Sequence, residues 1–256
     1  MSAPAQLDTA ELARQVKALY RQVAQQPNAA FHFPLGRPLA ERLGYPTELL
    51  DAVPAEVLAS FAGVGYALDL ADLSPGSRVL DLGSGSGTDS FAAAYLVGVT
   101  GQVTGVDMTD AQRAKADRLR AGAVHIRFVD GRLEDLPFDD ASFDVVISNG
   151  VVNLCPDKAR VFAEAARVLA PGGRLAVADI VCTRPLPETV TCNADLWSAC
   201  IGGAAPETDY RAAMTNTGLR IDTVREAPEY QFLTTQAQNA SRTYGVRAIT
   251  LSATKI

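Results

Sequence analysis

Residues 79–87 read Val79-Leu80-Asp81-Leu82-Gly83-Ser84-Gly85-Ser86-Gly87, a short apolar run that enters glycines at alternate positions. Glycine at such points lets the backbone turn sharply and lets a ligand approach with no Cβ in the way. Alone, a glycine-rich turn is a weak signal, and its neighbours sharpen it. Asp81 stands just before the glycines, where a carboxylate can meet a cationic amine. The next apolar run, GQVTGVD, ends at Asp107, whose oxygens suit both hydroxyls of a ribose. A dinucleotide loop of the form G-x-G-x-x-G needs glycine at position 88, and this chain has Thr88.

Working outward, RVLDL, GQVTGVD, VHIRFVD, FDVVISN and RLAVADI are strand candidates that alternate with helical segments between residues 78 and 181. That alternation predicts a parallel sheet wound by right-handed crossovers. After a helix at YRAAMTNTG, the segments IDTVREA and GVRAITLSAT follow with no helix expected between them, as an antiparallel edge. On the amino-terminal side, residues 8–26 predict a helix capped by Asp8 or Thr9, with Leu12, Val16, Leu19, Tyr20 and Val23 at helical spacing. Pro27 to Pro54 reads as loop with short helical turns, too apolar for a solvated linker. Pro54 to Phe61 predicts a further short helix stopped by Gly63 or Gly65.

Composition excludes several classes. The chain has 256 residues, 48% of them hydrophobic, and a net charge of −6 from 29 acidic against 23 basic residues. It has enough apolar residue for a full core, and its charge argues against a nucleic-acid surface or a polybasic membrane anchor. Its 4 cysteines make no CxxC pair, which argues against a zinc ribbon, a thioredoxin-like site or a disulfide framework. No metal ligand set is expected. The opening MSAPAQLDTAELARQ lacks a basic and an apolar leader region, and no run reaches the ~20 apolar residues that span a bilayer. The expectation is a soluble, cytoplasmic protein with no membrane or nucleic-acid partner. Its oligomeric state is not legible in the sequence.

A third mark lies beyond the third strand, in Gly131-Arg132-Leu133-Glu134-Asp135-Leu136-Pro137-Phe138. Backbone N–H near Leu133 and the carboxylate of Glu134 or Asp135 can read an adenine edge, with Leu133 against the ring. Successive strand ends are where open α/β sheets bind ligands. Together the marks ask for a cationic amino-acid end, a ribose and an adenine, without pyrophosphate. S-adenosylmethionine meets that description and a nicotinamide dinucleotide does not.

The stretch Asp81 to Gly87, Asp107, GRLEDLPF, SFDVVISN and LAPGGRLAVAD together resemble the motif series of class I S-adenosylmethionine-dependent methyltransferases. Within that superfamily DLGSGSGTD, VTGVDMTDAQ, VISNGVVNLCPDK and LWSACIGGA are similar to arsenite methyltransferases. The resemblance implies a Rossmann-like, seven-stranded, mostly parallel sheet with helices on both faces. It implies a helical and loop cover over residues 1–70 and a cofactor-binding domain over 71–256. It implies Asp81, Gly83, Ser84, Gly85, Gly87, Asp107, Met108, Leu133, Glu134 and Asn149 as cofactor residues. The implied reaction is methyl transfer to a small molecule. The competing reading is a fold that binds the cofactor without independent catalysis.

The departures bear on the acceptor. Arsenite methyltransferases hold trivalent arsenic with three or four cysteine thiolates, two of them in the amino-terminal part. Here no cysteine precedes Cys155, and Ser148-Asn149-Gly150 has glycine where the family has cysteine. Cys200 is the matching thiol that remains, and a soft ion needs several. Candidate residues near the chemistry are therefore Cys200, Tyr20 on the apolar face of the first helix, and His32 between Phe31 and Phe33, whose imidazole can take a proton. Each has an ordinary alternative: core packing for Cys200 and Tyr20, a staple for His32, and a helix cap for Asp107.

Overall fold

The computed structural model describes residues 7–193, Trp197 and 201–256. Helix α1 (Thr9–Gln25) starts where Asp8 accepts hydrogen bonds from the N–H groups of Ala10 (3.0 Å) and Glu11 (2.9 Å), and it buries Leu12, Val16 and Val23. Three short helices follow, α2 (Arg37–Arg42), α3 (Thr47–Asp51) and α4 (Ala55–Leu58). Prolines 38, 46 and 54 sit at their starts, where a missing N–H costs nothing. Leu39, Leu50, Val57 and Phe61 from this cover enter the same core as Val79, Phe91 and Ala176 of the body.

The body is strand β1 (Arg78–Leu82), α5 (Thr88–Val97), β2 (Gln102–Asp107), α6 (Asp110–Leu119), β3 (Ile126–Asp130), β4 (Phe143–Asn149), α7 (Lys158–Val168) and β5 (Leu169–Cys182). Then come α8 (Glu188–Thr191), β6 (Ala205–Pro206), α9 (Glu207–Thr215), β7 (Leu219–Glu226), α10 (Thr235–Tyr244) and β8 (Arg247–Lys255). The sheet runs β3-β2-β1-β4-β5-β8-β7. Strands β1 to β5 pair in parallel, and β8 and β7 add antiparallel. These are the seven expected strands, and the two-residue β6 beside β5 makes an eighth. The order reverses between β1 and β4, which opens a crevice outside their carboxyl ends.

Strand alternation decides which polar groups face that crevice. Val79, Val145 and Ile147 face the cover side, while Leu80, Leu82 and Val146 face the α7 side. Asp81 and Asn149 share the parity of the first set. Asp179 shares the parity of Leu175, Val177 and Val181, which face the α7 side, where Tyr210 of α9 also packs.

Two expectations are corrected. The helix α10 separates β7 from β8: its residues are polar and bury Ala237 alone, so periodicity does not reveal it, although Thr234 and left-handed Gly245 cap it. The helix α4 stops at Leu58, and Gly63 and Gly65 are not its caps. They allow close packing instead, since an added Cβ would meet Asn149 Nδ2 at 2.6 Å and Thr250 Cγ2 at 2.7 Å respectively. Helix α7 ends at Val168, before Pro171-Gly172-Gly173, because Leu169 already pairs with Phe143 and the next paired residues are Arg174 and Val145. The intervening residues form a bulge.

Candidate ligand-binding cleft at the strand ends

The crevice is a cleft of about 1130 Å³, its mouth included, and it gathers most of the residues singled out in the sequence. Asp81, Gly83, Ser84 and Gly85 line it after β1, Asp107 and Met108 after β2, Leu133 and Glu134 after β3, and Asn149 after β4. Leu12, Val16 and Tyr20 of α1 close it from the cover. Tyr20 stacks on Phe33 with ring centroids 6.1 Å apart. His32 lies outside the lining, edge-on to Phe33 at 4.6 Å, in the position of a staple for the cover. Gly87 is also outside the lining. It begins α5 at φ 96°, and a Cβ there would meet Phe128 Cζ at 2.8 Å, so its work is the tight turn and the packing behind it. Cys200 lies outside the described residues.

The loop is stitched to β2. Ser84 N–H donates to Val106 O (3.0 Å), Gly87 N–H to Ser84 O (2.8 Å) and Gly85 N–H to Asp107 Oδ2 (2.9 Å). The other oxygen of Asp107 accepts from Thr109 N–H at 2.7 Å, just ahead of α6. The helix-cap reading is therefore part of the truth. A carboxylate has about four acceptor positions, so Asp107 keeps capacity for hydroxyl donors on its cleft side. Burial pushes its pKa up, opposed by those N–H groups and the Arg113 guanidinium. Ser84 lines the cleft, and its Oγ is buried beside Gly105 without a hydrogen-bond partner. Leu133 offers its apolar side chain, and Glu134, half-buried, has Arg132 at 3.7 Å.

The roof is pinned at its carboxyl-terminal end. Ser86 Oγ donates to Gln112 Oε1, and Gln112 Nε2 donates to the carbonyl of Tyr20 at 3.0 Å. Lys115 Nζ donates to Ala24 O (3.1 Å) and Ser60 Oγ (2.7 Å), which joins α6 to the cover.

Several residues at the cleft were not legible as such in the sequence. Asp89, in the first turn of α5, reads as an ordinary helix-start acid, and Tyr45 lies in a Pro-rich stretch with no periodic signal. Asp89 accepts from Tyr45 Oη at 2.5 Å and from Asn149 Nδ2 at 3.0 Å. Asn149 also donates to Gly65 O (2.9 Å), and its Oδ1 accepts from Val64 N–H (2.8 Å). It therefore ties the cover to β4 as well as lining the cleft. Behind the wall, Asp179 accepts from Tyr210 Oη (2.8 Å), Asn153 N–H (2.9 Å) and Ile180 N–H (2.7 Å). Burial pushes its pKa up to about 6 despite those donors. It anchors the turn Val152–Leu154, whose flanks put Val151 and Cys155 in the lining. Burial, followed by Glu134, holds the Cys155 thiol well above its usual range, so it stays protonated. Among the described residues no group of three or more His, Cys, Asp or Glu side chains gathers to hold a metal ion, and no helix is long and apolar enough to cross a membrane.

A parallel sheet with its order reversed at β1, a glycine loop clamped by an acid at the end of β2 and a cleft roofed by an N-terminal helix define a class of small-ligand α/β enzyme. Residues 73–236 match the family model described as a methyltransferase domain, and the chain belongs to that family. Within it the chain is similar to arsenite methyltransferases. It is 42% identical to that of Halobacterium salinarum over 192 residues, 74% of this chain and 48% of that protein. It is 36% identical to the human one over 216 residues, 78% of this chain and 56% of that protein. The chain thus spans about half the length of the curated relatives it matches. Its fold superposes on the crystal structure of an arsenic(III) S-adenosylmethionine methyltransferase from Chlamydomonas reinhardtii with a TM-score of 0.63. That pair shares 33% identity over 87% of this chain and 74% of the other.

Proposed function

We propose that this chain transfers a methyl group from S-adenosylmethionine to a small-molecule acceptor, with residues 71–256 as the transferring domain and 1–70 as its cover. The observation that carries the reading is the convergence, in one cleft, of Asp81, the loop Gly83–Gly85 and Asp107 beneath an apolar roof. When bound, the sulfonium supplies a methyl already activated for in-line displacement. Asp107 would hold the ribose hydroxyls with its free lone pairs, and Met108, Leu133 and Glu134 would hold the adenine. Asp81 would offer its charge to the amino-acid end. The roof of Leu12, Val16 and Tyr20 excludes water, which keeps the reacting groups aligned in a dry site.

The acceptor is a small organic molecule rather than trivalent arsenic. Among the described residues Cys155 is the one cysteine that lines the cleft, and its thiol is held protonated. Gly150, where the resemblance puts a thiolate, presents no side chain. The acceptor side of the cleft, formed by α1, Phe61 and Leu154, is apolar. A mass-spectrometric screen with labelled donor and acceptors ranging over arsenite, thiols, phenols and acidic carbons tests the reading. Label is expected on an organic acceptor. Efficient methylation of arsenite overturns the acceptor class, and failure to bind S-adenosylhomocysteine overturns the function.

A further inference from the structure

The loop that brings Leu133 and Glu134 to the cleft lies between β3 and β4, outside the sheet ladder, so its peptide groups need partners from elsewhere. Within the loop, Asp135 N–H donates to Arg132 O (3.2 Å) and Phe138 N–H to Leu136 O (2.8 Å). Further partners come from helix α7, where Arg160, Glu164 and Arg167 recur on one face at helical spacing. Arg160 Nε donates to the carbonyl of Glu134 at 3.0 Å. Glu164 Oε2 accepts from Leu136 N–H at 2.8 Å. Arg167 donates from Nη2 to Leu136 O at 3.1 Å, and from Nη1 to Phe138 O at 2.7 Å and Asp140 Oδ1 at 2.9 Å.

The α7 side chains are also joined to one another. Arg167 meets both oxygens of Glu164, Nε to Oε1 at 2.9 Å and Nη2 to Oε2 at 2.8 Å. Arg160 stands 3.7 Å from Glu164 Oε1. Leu136 thus has its N–H held by the acid and its C=O by the base of one forked ion pair. Glu164 is buried, and the Arg167 guanidinium keeps its carboxyl below the usual carboxylate range, so the pair is charged at neutral pH. A planar fork on a carboxylate fixes direction as well as distance. Packing does a different job. Leu133 and Leu136 are buried in the α7-side core, and that burial, being non-directional, fixes where the loop sits. The hydrogen bonds fix which way its peptide groups point.

We propose that Arg160, Glu164 and Arg167 of α7 are positioning residues for the donor's purine, holding the backbone of residues 134–138 in the setting that lets the loop tell adenine from hypoxanthine. The proposal rests on the reading of the cleft as a site for S-adenosylmethionine. Adenine presents an amino donor beside a ring-nitrogen acceptor, and hypoxanthine presents a carbonyl acceptor beside a ring N–H donor. A loop whose backbone N–H groups and Glu134 carboxylate are held still would suit the first pattern and oppose the second, because a mismatched edge leaves polar groups unpaired. A loop free to turn its peptide groups would adapt to either. None of the α7 side chains lines the cleft, so each acts through the loop.

Calorimetric titration of the full chain with S-adenosylhomocysteine and S-inosylhomocysteine measures the preference as a ratio of affinities. The parent chain is expected to favour the adenine ligand by at least about tenfold. Arg160→Met removes the contact with Glu134 O from a side chain that is 54% exposed, so folding is not at stake. Arg167→Lys keeps a cation beside Glu164 but offers one nitrogen in place of Nε, Nη1 and Nη2. Each variant is expected to lower the ratio by about threefold or more, through weaker S-adenosylhomocysteine binding with S-inosylhomocysteine binding kept. A role in stability alone lowers the unfolding midpoint, or weakens both ligands equally, and leaves the ratio unmoved. An unmoved ratio in both variants overturns the proposal, as does a parent chain that binds the two ligands equally, while in either case the donor reading stands. No binding of either ligand overturns both.

Discussion

Asp107 does two jobs with one carboxylate. Its oxygens hold Gly85 N–H and Thr109 N–H, which fixes the glycine loop against the start of α6. Its remaining lone pairs face the cleft. Asp107→Ala is expected to weaken S-adenosylhomocysteine roughly 10- to 100-fold, the loss of a charge-assisted hydrogen bond. Calorimetry reads the affinity, and unchanged affinity removes Asp107 from the site. Gly87 makes a different kind of contribution. With φ at 96° and Phe128 Cζ 2.8 Å from any added Cβ, Gly87→Ala is strained in backbone and side chain alike. A cost of about 1–3 kcal/mol is expected, measured as a lower midpoint in denaturant. Asp81, Asp107 and the glycines were legible in the sequence because turn chemistry and charge at a strand end are local signals. Tyr45 and Asp89 were not, since they are 44 residues apart and meet only in the folded chain.

At the scale of elements, helix α7 places the rear wall of the cleft. Asp157 caps it by accepting from Arg160 N–H at 2.9 Å, two residues after Cys155. Asp157→Ala is expected to cost about 1 kcal/mol of stability, read as a shift in the thermal midpoint. Strands β1 to β5 and helices α1, α5 and α7 were legible from apolar runs or hydrophobic period, because each presents a continuous apolar stripe or run to the core, while polar α6 was legible from its place between two strands and its glycine stop at Gly122. The helix α10 escaped that reading: its one buried residue is Ala237, and its existence depends on capping by Thr234 and Gly245. Short helix α4 was overrun at its end for the opposite reason. Gly63 and Gly65, which looked like stops, answer to Asn149 and Thr250 across the fold.

The whole molecule carries a pH signature through Asp179. Its pKa is raised to about 6 by burial, while the unfolded chain has the ordinary value of about 3.9. Between these values the folded state binds more protons than the unfolded state, so stability falls as pH rises from about 4 to 6. The contribution is on the order of 3 kcal/mol, present in full below pH 4 and absent above pH 6. Asp179→Asn keeps acceptors for Tyr210 and Asn153 and removes the titration. The difference in unfolding free energy between this variant and the parent chain is expected to grow in the variant's favour from pH 4 to 6. A difference independent of pH shows that Asp179 does not titrate in that window.

Local pattern alone determined the α/β alternation, the glycine loop and the acid at the end of β2, because each depends on neighbours a few residues apart. It also showed that no cysteine precedes Cys155. Tertiary structure decided what those parts face. It put Asp81, Asp89 and Asn149 on the cover side of the sheet, laid α1 over them as a roof, and left His32 outside the cleft lining, edge-on to Phe33. The physical reason is that burial, charge pairing and the meeting of Tyr45 with Asp89 are properties of closure over long sequence distances, which no local window contains.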